Sequence, residues 1–151
     1  MRNNGNRFSA SSPLTLQEMD RDASGVAIGE PGMTMRIMVV EDDALIALDI
    51  VGLLEDLGHV VVAEAADAFT AWELAEGDKP DLALVDIRLA RNTDGGKLAQ
   101  QLYDQLGVRS LFVSGSITEE FRGAMAAINP VGFIGKPVTR RSLGDALAAC
   151  G

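Results

Sequence analysis

The stretch IMVVEDDALIALDIVGLLEDLG, residues 37 to 58, joins an apolar run, three consecutive acids and a helical pattern. The apolar residues after the acids, Ile46, Ile50, Leu53, Leu54 and Leu57, are spaced at i, i+4, i+7, i+8 and i+11, which is typical of one face of an amphipathic helix. Gly58 is a common type of helix terminator. The stretch therefore predicts a buried strand, an acidic turn and a helix, the repeating unit of an α/β fold.

The alternation of strand and helix continues along the rest of the chain. Strands are predicted at residues 35–40, 59–65, 81–87, 108–115 and 131–135, and helices at 43–59, 67–78, 94–107, 118–129 and 139–150. Right-handed crossovers between parallel strands place helices on both faces of the sheet. We therefore predict an α/β fold with a doubly wound, five-stranded parallel sheet in the order 2-1-3-4-5, the flavodoxin-like arrangement.

Residues 1–34 differ in composition from residues 35–151. They are rich in Asn, Ser, Gly and Pro and show no sustained helical or strand period, so they bury too little apolar surface to offset the entropy of ordering. We expect a disordered N-terminal extension followed by one folded domain. Met33 and Met35 directly precede the first strand, so a translation start assigned too far upstream explains the extension as well as a regulatory arm does.

Charge and composition exclude several classes of partner. The formal net charge is −9, from 22 acidic and 13 basic residues, which disfavours binding to nucleic-acid phosphates. No apolar run approaches the roughly 18 residues needed to span a membrane, and the N-terminus lacks the apolar core of a signal peptide. The single cysteine, Cys150, excludes an internal disulfide and fits a reducing compartment. We therefore expect a cytoplasmic protein that binds neither nucleic acid nor membrane.

Acidic residues gather where the predicted strands end. Glu41 and Asp42 follow the first strand and Asp86 ends the third, and the carboxyl ends of neighbouring parallel strands form the binding crevice of such sheets. Two like charges about 4 Å apart repel by about 4 kcal/mol near a protein surface, so the three carboxylates need a cation among them. Mg²⁺ is a hard cation suited to carboxylate, water and phosphate oxygens. The pattern therefore predicts a Mg²⁺ site at these three acids.

The fourth and fifth strands add a hydroxyl and a cation to the same edge. Ser114 ends the fourth strand, and Lys136 follows the fifth. An ionised Asp86 could attack phosphorus and give an aspartyl phosphate. Lys136 and Mg²⁺ would neutralise the transferred group, and the Ser114 hydroxyl would donate to it. The set of side chains therefore predicts phosphoryl transfer to Asp86.

Four motifs, in order along the chain, carry a family resemblance. They are IMVVEDD (37–43), PDLALVDIRL (80–89), LFVSG (111–115) and GFIGKP (132–137). Together they make residues 36–150 resemble a response regulator receiver domain, the phosphoacceptor of two-component signalling. The resemblance implies that Asp86 is the phosphorylation site. It also implies that the backbone carbonyl of Arg88 joins Glu41, Asp42 and Asp86 as a Mg²⁺ ligand.

The same resemblance implies a conformational switch. Ser114 would be the switch hydroxyl, Lys136 would pair with the phosphoryl group, and Phe133 would be the aromatic residue that turns inward after phosphorylation. A cis peptide bond would precede Pro137. Apart from the resemblance, Ser114 could be a turn residue, Phe133 a core aromatic and Asp43 a cap of the first helix.

The loop after Asp86 departs from the family pattern. The segment Leu89–Asn92 lacks the proline that many receivers have there, and Asp94 with its following glycine lies one residue further from the acceptor than usual. Arg88 could reach into the pocket and alter dephosphorylation. The sequence LFVSGS (111–116) is similar to that of a subgroup of stand-alone receivers that work with HWE-type kinases.

Other chemistries fit the residues poorly. GFIGKP lacks the spacing and the hydroxyl residue of a P-loop, and acids stand where a dinucleotide site would have glycines. No second His or Cys is spaced with His59 for a zinc site. We therefore predict a receiver and not a turnover enzyme.

The chain ends at Gly151, directly after the last predicted helix, so we expect a stand-alone receiver, either a monomer or a weak dimer. Its expected phosphodonors are a sensor histidine kinase, among which HWE-type kinases are candidates, or a histidine phosphotransfer protein. Helix one is the expected docking surface, and an unknown protein acts downstream. Two alternatives stay open: a phosphorylation-independent scaffold, and a phosphate sink that drains a shared kinase.

Overall fold

The computed structural model describes residues 34 to 150, in which five parallel strands alternate with five helices. The strands are β1 (Arg36–Val40), β2 (Val60–Ala65), β3 (Leu82–Asp86), β4 (Arg109–Ser114) and β5 (Gly132–Gly135), and the helices are α1 (Ala44–Asp56), α2 (Ala68–Gly77), α3 (Gly95–Leu106), α4 (Glu119–Met125) and α5 (Arg140–Ala148). The sheet order is β2-β1-β3-β4-β5 with every pair parallel, which confirms the predicted fold. No helix in this range is long and apolar enough to cross a membrane.

The predicted N-terminal extension lies almost wholly outside the described residues. Thr34 is the one residue of the range 1–34 that the structure describes, and it is exposed. The expected disorder of the extension, and the domain boundary after it, stay predictions.

Side chains of the strands alternate between two apolar cores, one on each face of the sheet. Ile37 and Val39 of β1 pack with residues of α1 and α5, whereas Met38 and Val40 pack with residues of α2 and α3. The central strand β3 is buried at all five positions, as expected for a parallel strand that is covered on both faces. These two cores fix the strand ends at which the acidic residues lie.

Polar side chains cap every helix at the carboxyl edge of the sheet. The caps are Asp43, Asp67, Asp94, Thr118 and Thr139. Each accepts a hydrogen bond from a backbone N–H of the first turn, one of the groups that would otherwise lack a partner. The interpretation of Asp43 as a helix cap is confirmed, because its Oδ1 accepts from the N–H groups of Leu45 and Ile46 at 3.0 and 3.2 Å.

The fourth helix is shorter than the predicted 118–129. The α-helix ends at Met125, and a 3₁₀ turn, Ala126–Ile128, carries the chain to Asn129, whose φ is 52°. Beyond it, the N–H of Val131 donates to the carbonyl of Ser110 at 2.8 Å where β5 joins β4. The chain must leave the helix at this point in order to enter the sheet.

The loop between β3 and α3 folds into a short antiparallel hairpin, residues 88–94. Its pairs are Arg88 with Asp94 and Leu89 with Thr93, joined by the 3₁₀ turn Ala90–Asn92. Arg91 and Asn92 have φ angles of 60° and 54°, a left-handed conformation that costs about 1 to 2 kcal/mol in a residue such as arginine and that asparagine adopts more readily. The buried side chain of Leu89 anchors the hairpin in the core beneath it.

Candidate functional site

Three carboxylates lie at the carboxyl ends of the adjacent strands β1 and β3. Glu41 and Asp42 directly follow β1, and Asp86 is the last residue of β3. One oxygen of each lies within 4.8 Å of the others. Glu41 and Asp86 are buried, with 4% and 7% exposure, whereas Asp42 is exposed. The sheet therefore brings together the acids that the sequence predicted.

Lys136 reaches two of these carboxylates from the end of β5. Its Nζ donates a hydrogen bond to Asp86 Oδ2 at 2.8 Å and lies 2.9 Å from Glu41 Oε1. The lysine is thus an ionic bridge between residues that lie 50 and 95 positions before it in the chain. The peptide bond between Lys136 and Pro137 is cis.

Backbone N–H groups orient the two buried acids. The N–H of Asp43 donates to Glu41 Oε2 at 3.0 Å, and the N–H of Arg88 donates to Asp86 Oδ1 at 3.2 Å. Each carboxylate therefore has one oxygen held by the backbone of its own loop and one beside Lys136. These backbone contacts, together with Lys136, keep both carboxylates pointed into the crevice.

Burial and charge shift the pKa values of the paired groups. Burial raises the pKa of Glu41 because loss of water disfavours its charged form, against the opposing effects of the Asp43 N–H and of Lys136. Burial by itself would lower the pKa of Lys136, but its contacts with Asp86 and Glu41 outweigh that effect and raise the pKa. Lys136 is therefore a permanent cation at neutral pH.

The donor set fits Mg²⁺. When all groups are ionised, three carboxylates facing one ammonium leave two negative charges in excess, which one divalent cation would balance. Glu41 Oε1 is buried, and within the described residues its polar contact is the Lys136 ammonium at 2.9 Å. All three groups offer the hard oxygen ligands that Mg²⁺ prefers. Glu41, Asp42 and Asp86 could therefore hold the ion, while the role of the Arg88 carbonyl stays a prediction.

The hydroxyl of Ser114 is engaged with its own loop. It donates to the carbonyl of Ser116 and accepts from the N–H of the same residue, both at 3.2 Å. These contacts are those of a turn residue, the alternative that the sequence allowed. The predicted role of Ser114 as a switch hydroxyl would require it to leave this turn.

Phe133 lies in an aromatic cluster next to α4. Its ring stacks on Phe112 at a centroid distance of 5.5 Å and meets Phe121 edge to face at 6.2 Å. The guanidinium of Arg122 lies over the ring, 4.7 Å from its centroid. Phe133 therefore has the packing contacts of a core aromatic and also touches the helix that the switch hypothesis requires to move.

Gly95 is a constraint on the site that the sequence analysis did not recognise. A Cβ atom at this position would lie 2.0 Å from the carbonyl oxygen of Asp86 and 3.0 Å from a methyl group of Val85. The first residue of α3 therefore packs directly against the backbone of the candidate acceptor. The sequence signal at this position was the pair Asp94-Gly95, which predicted where α3 begins. It did not predict the close approach of Gly95 to the backbone of Asp86.

Comparison with known proteins gives matches to one protein family and to curated regulatory proteins. The protein family described as "Response regulator receiver domain" matches residues 37–148. The chain is 36% identical over 97 residues to transcriptional regulatory protein PdtaR of Mycobacterium tuberculosis, covering 60% of this chain and 47% of that protein. It is 35% identical over 83 residues to phyllosphere-induced regulator PhyR of Methylorubrum extorquens, covering 54% of this chain and 31% of PhyR. The match thus spans about half of PdtaR and a third of PhyR.

A solved receiver structure shares the fold. The signal receiver domain of the response regulator NarL from M. tuberculosis superposes with a TM-score of 0.70 at 29% sequence identity. The superposition covers 78% of this chain and 95% of that domain.

Proposed function

This chain belongs to the response regulator receiver family, and we propose that it accepts a phosphoryl group on Asp86 in a Mg²⁺-dependent reaction. The donor is a sensor histidine kinase or a histidine phosphotransfer protein. One observation carries the proposal: the buried Asp86 lies in one cluster with two further carboxylates and contacts the Lys136 ammonium, at the carboxyl edge of the sheet. No turnover chemistry is needed, because the phosphoryl group becomes part of the protein.

The transfer is a displacement at phosphorus. A carboxylate oxygen of Asp86 forms the new P–O bond while the P–N bond to the donor histidine breaks, and the electron pair of that bond returns to the histidine nitrogen. Bound Mg²⁺ would supply positive charge to the phosphoryl oxygens. Lys136 supplies a second cation that is already in place, 2.8 Å from Asp86. The N–H of Arg88 keeps the carboxylate oriented.

The signal is a change of conformation that another protein reads. The Ser114 hydroxyl leaves Ser116 and donates to a phosphoryl oxygen, which draws the start of the β4–α4 loop toward Asp86. Phe133 then turns inward and leaves its contact with Arg122. The effect is a shift between two populations. Cytoplasmic location, action without an attached output domain, and a monomer or weak dimer stay predictions.

Intact-mass spectrometry after incubation with acetyl phosphate tests the proposal. We expect a gain of one phosphoryl group in the presence of Mg²⁺ and none after its removal with a chelator, because three carboxylates repel an anionic donor unless a cation neutralises them. Beryllofluoride binding, followed on the same samples, detects the site if hydrolysis is fast. Failure of both would contradict phosphoryl transfer and favour the scaffold alternative.

The exposed side of α1 is the proposed docking surface for the phosphodonor. Leu45 and Leu48 are 78% and 69% exposed, and they line a shallow groove with Asp49 and Asp56. The helix contains no basic residue. An apolar stripe with an acidic border fits a partner helix whose apolar residues are flanked by Lys or Arg.

Replacing Leu48 by aspartate should slow phosphotransfer from the cognate kinase by about tenfold or more, as loss of an apolar contact at the centre of an interface does. Labelling by acetyl phosphate should be unchanged, because the side chain lies outside the acidic site. The measurement is the transfer rate from radiolabelled kinase. Leu74→Asp is the matched control, since Leu74 is also exposed but lies on α2, on the opposite face of the sheet. Equal transfer by both variants would contradict docking on α1.

A further inference from the structure

The hairpin of residues 88–94 is fastened to the loop that precedes α2. The N–H of Ala90 donates to the carbonyl of Ala66 at 2.9 Å. The hairpin and the β2–α2 loop are more than twenty positions apart in the chain, and they meet only because β1 and the cores hold β2 near β3. The carbonyl of Ala65 in turn accepts from the N–H of Glu41 at 2.9 Å. One continuous backbone path therefore runs from the acid after β1 to the hairpin.

Thr93 supplies the side-chain hydrogen bonds of this attachment. Its Oγ1 donates to the carbonyl of Ala90 at 2.7 Å, which closes the hairpin turn. The same oxygen accepts from the N–H of Ala68, the first residue of α2, at 3.0 Å. A single hydroxyl thus uses its donor and its acceptor to join two loops.

Charge reinforces the attachment. Asp67 is buried, caps α2 through the N–H of Thr70 at 2.8 Å, and lies 3.7 Å from the Arg91 guanidinium. The hydrogen bond from Thr70 lowers the pKa of Asp67, which keeps the carboxylate charged beside Arg91. The Arg91 guanidinium also lies over the exposed ring of Phe69, 5.6 Å from its centroid. These contacts place the Arg91 side chain against the start of α2.

The other end of the hairpin touches the acceptor. Arg88 opens the hairpin, and its N–H donates to Asp86 Oδ1. Leu89, the next residue, is paired with Thr93 across the ladder. A displacement of Thr93 therefore shifts its strand partner Leu89 and, through it, the backbone of Arg88 next to Asp86.

The geometry points to Thr93 as a positioning residue: its hydroxyl ties the hairpin to α2 and thereby fixes the backbone of Arg88 beside Asp86. The role is distinct from the contacts of Lys136 and of the acids, since Thr93 touches none of them in the structure. Only the expected effect of Thr93 on Mg²⁺ binding and phosphoryl transfer rests on the proposed function. The effect of Thr93 on the position of the Arg88 backbone is the positional part of the proposal, and it concerns the protein without any ligand.

The positional part is tested by hydrogen exchange on the metal-free Thr93→Val variant, which keeps the shape of the side chain and removes the hydroxyl. We expect the amide of Ala68 to exchange faster because it loses its acceptor. We also expect the amide of Arg88 to exchange about tenfold faster, because the hairpin opens more often once it has lost a contact worth about one hydrogen bond. Faster exchange at Ala68 with no change at Arg88 would overturn the proposal, since the Thr93 hydroxyl would then stabilise only the start of α2.

Thr118→Val is the matched control. Thr118 also accepts a backbone N–H at a helix start, from Phe121 at 3.0 Å, but it caps α4. Both variants should lose a similar amount of stability in urea, since both lose a hydroxyl that accepts a backbone N–H at the start of a helix. The control should leave the exchange of the Arg88 amide unchanged, and a similar acceleration in both variants would reduce Thr93 to a general stabilising role.

Titration calorimetry with Mg²⁺ tests the functional consequence. We expect Thr93→Val to bind Mg²⁺ about tenfold more weakly than Thr118→Val, within the range found when outer-shell partners of metal ligands are removed. Absence of Mg²⁺ binding in the unmodified protein would contradict the proposed function and leave the exchange result to decide the positional claim. Equal Mg²⁺ affinity in the two variants, with normal binding by the unmodified protein, would overturn the positioning role.

Discussion

The Asp86→Asn variant should gain no phosphoryl mass from acetyl phosphate or from any phosphorylated kinase. An amide oxygen carries no negative charge, so the variant has no nucleophile at this position. The fold should persist, because an amide oxygen can still accept from the N–H of Arg88, and Lys136 keeps its contact with Glu41. The measurement is intact mass in the presence of Mg²⁺, with circular dichroism as the check of folding.

Asp43→Asn is the matched control for this substitution. It removes one negative charge two residues after Glu41, and asparagine caps helices as well as aspartate does. Asp43 uses its carboxylate for the N–H groups of α1 and not for the crevice. The control should be labelled at nearly the normal rate. Labelling of Asp86→Asn itself would show that another residue accepts the phosphoryl group.

The Gly95→Ala variant should be destabilised by about 2 to 3 kcal/mol, the upper part of the range for overpacking of a filled site. The new methyl group would lie 2.0 Å from the Asp86 carbonyl oxygen, a backbone atom that cannot move aside as a side chain can. Any relaxation must separate α3 from β3 and shift Asp86. A displacement of about 1 Å at a reacting group can cost about 100-fold in rate, so labelling by acetyl phosphate should slow by that order.

The comparison for Gly95 is Gly52→Ala. Gly52 lies within α1, where an added Cβ meets nothing within 4 Å. Alanine there should stabilise the protein by about 0.5 to 1 kcal/mol, through its better helix propensity. Urea unfolding measures both changes. A Gly95→Ala variant as stable as Gly52→Ala would mean that α3 does not approach Asp86 as closely as the structure has it.

The sequence by itself determined the fold and which residues form the acidic cluster. Apolar runs and helical spacing repeat with periods that follow from backbone geometry, and crossover handedness leaves few sheet orders to consider. Once strand three neighbours strand one, Glu41, Asp42 and Asp86 must share one edge. The same rule brought Lys136 to that edge from β5.

Only the tertiary structure decided how the loops meet. The contact of Thr93 with Ala68 joins two loops whose separation depends on the packing of β2 and β3, and no local pattern encodes it. The left-handed conformation of Arg91 runs against its intrinsic preference, and it occurs in the turn of a hairpin whose backbone pairs Leu89 with Thr93 and bonds Ala90 to Ala66. The approach of Gly95 to Asp86 depends likewise on where α3 packs. Periodicity is a property of neighbours in sequence, whereas these contacts are set by distances between elements, which exist only after the cores have formed.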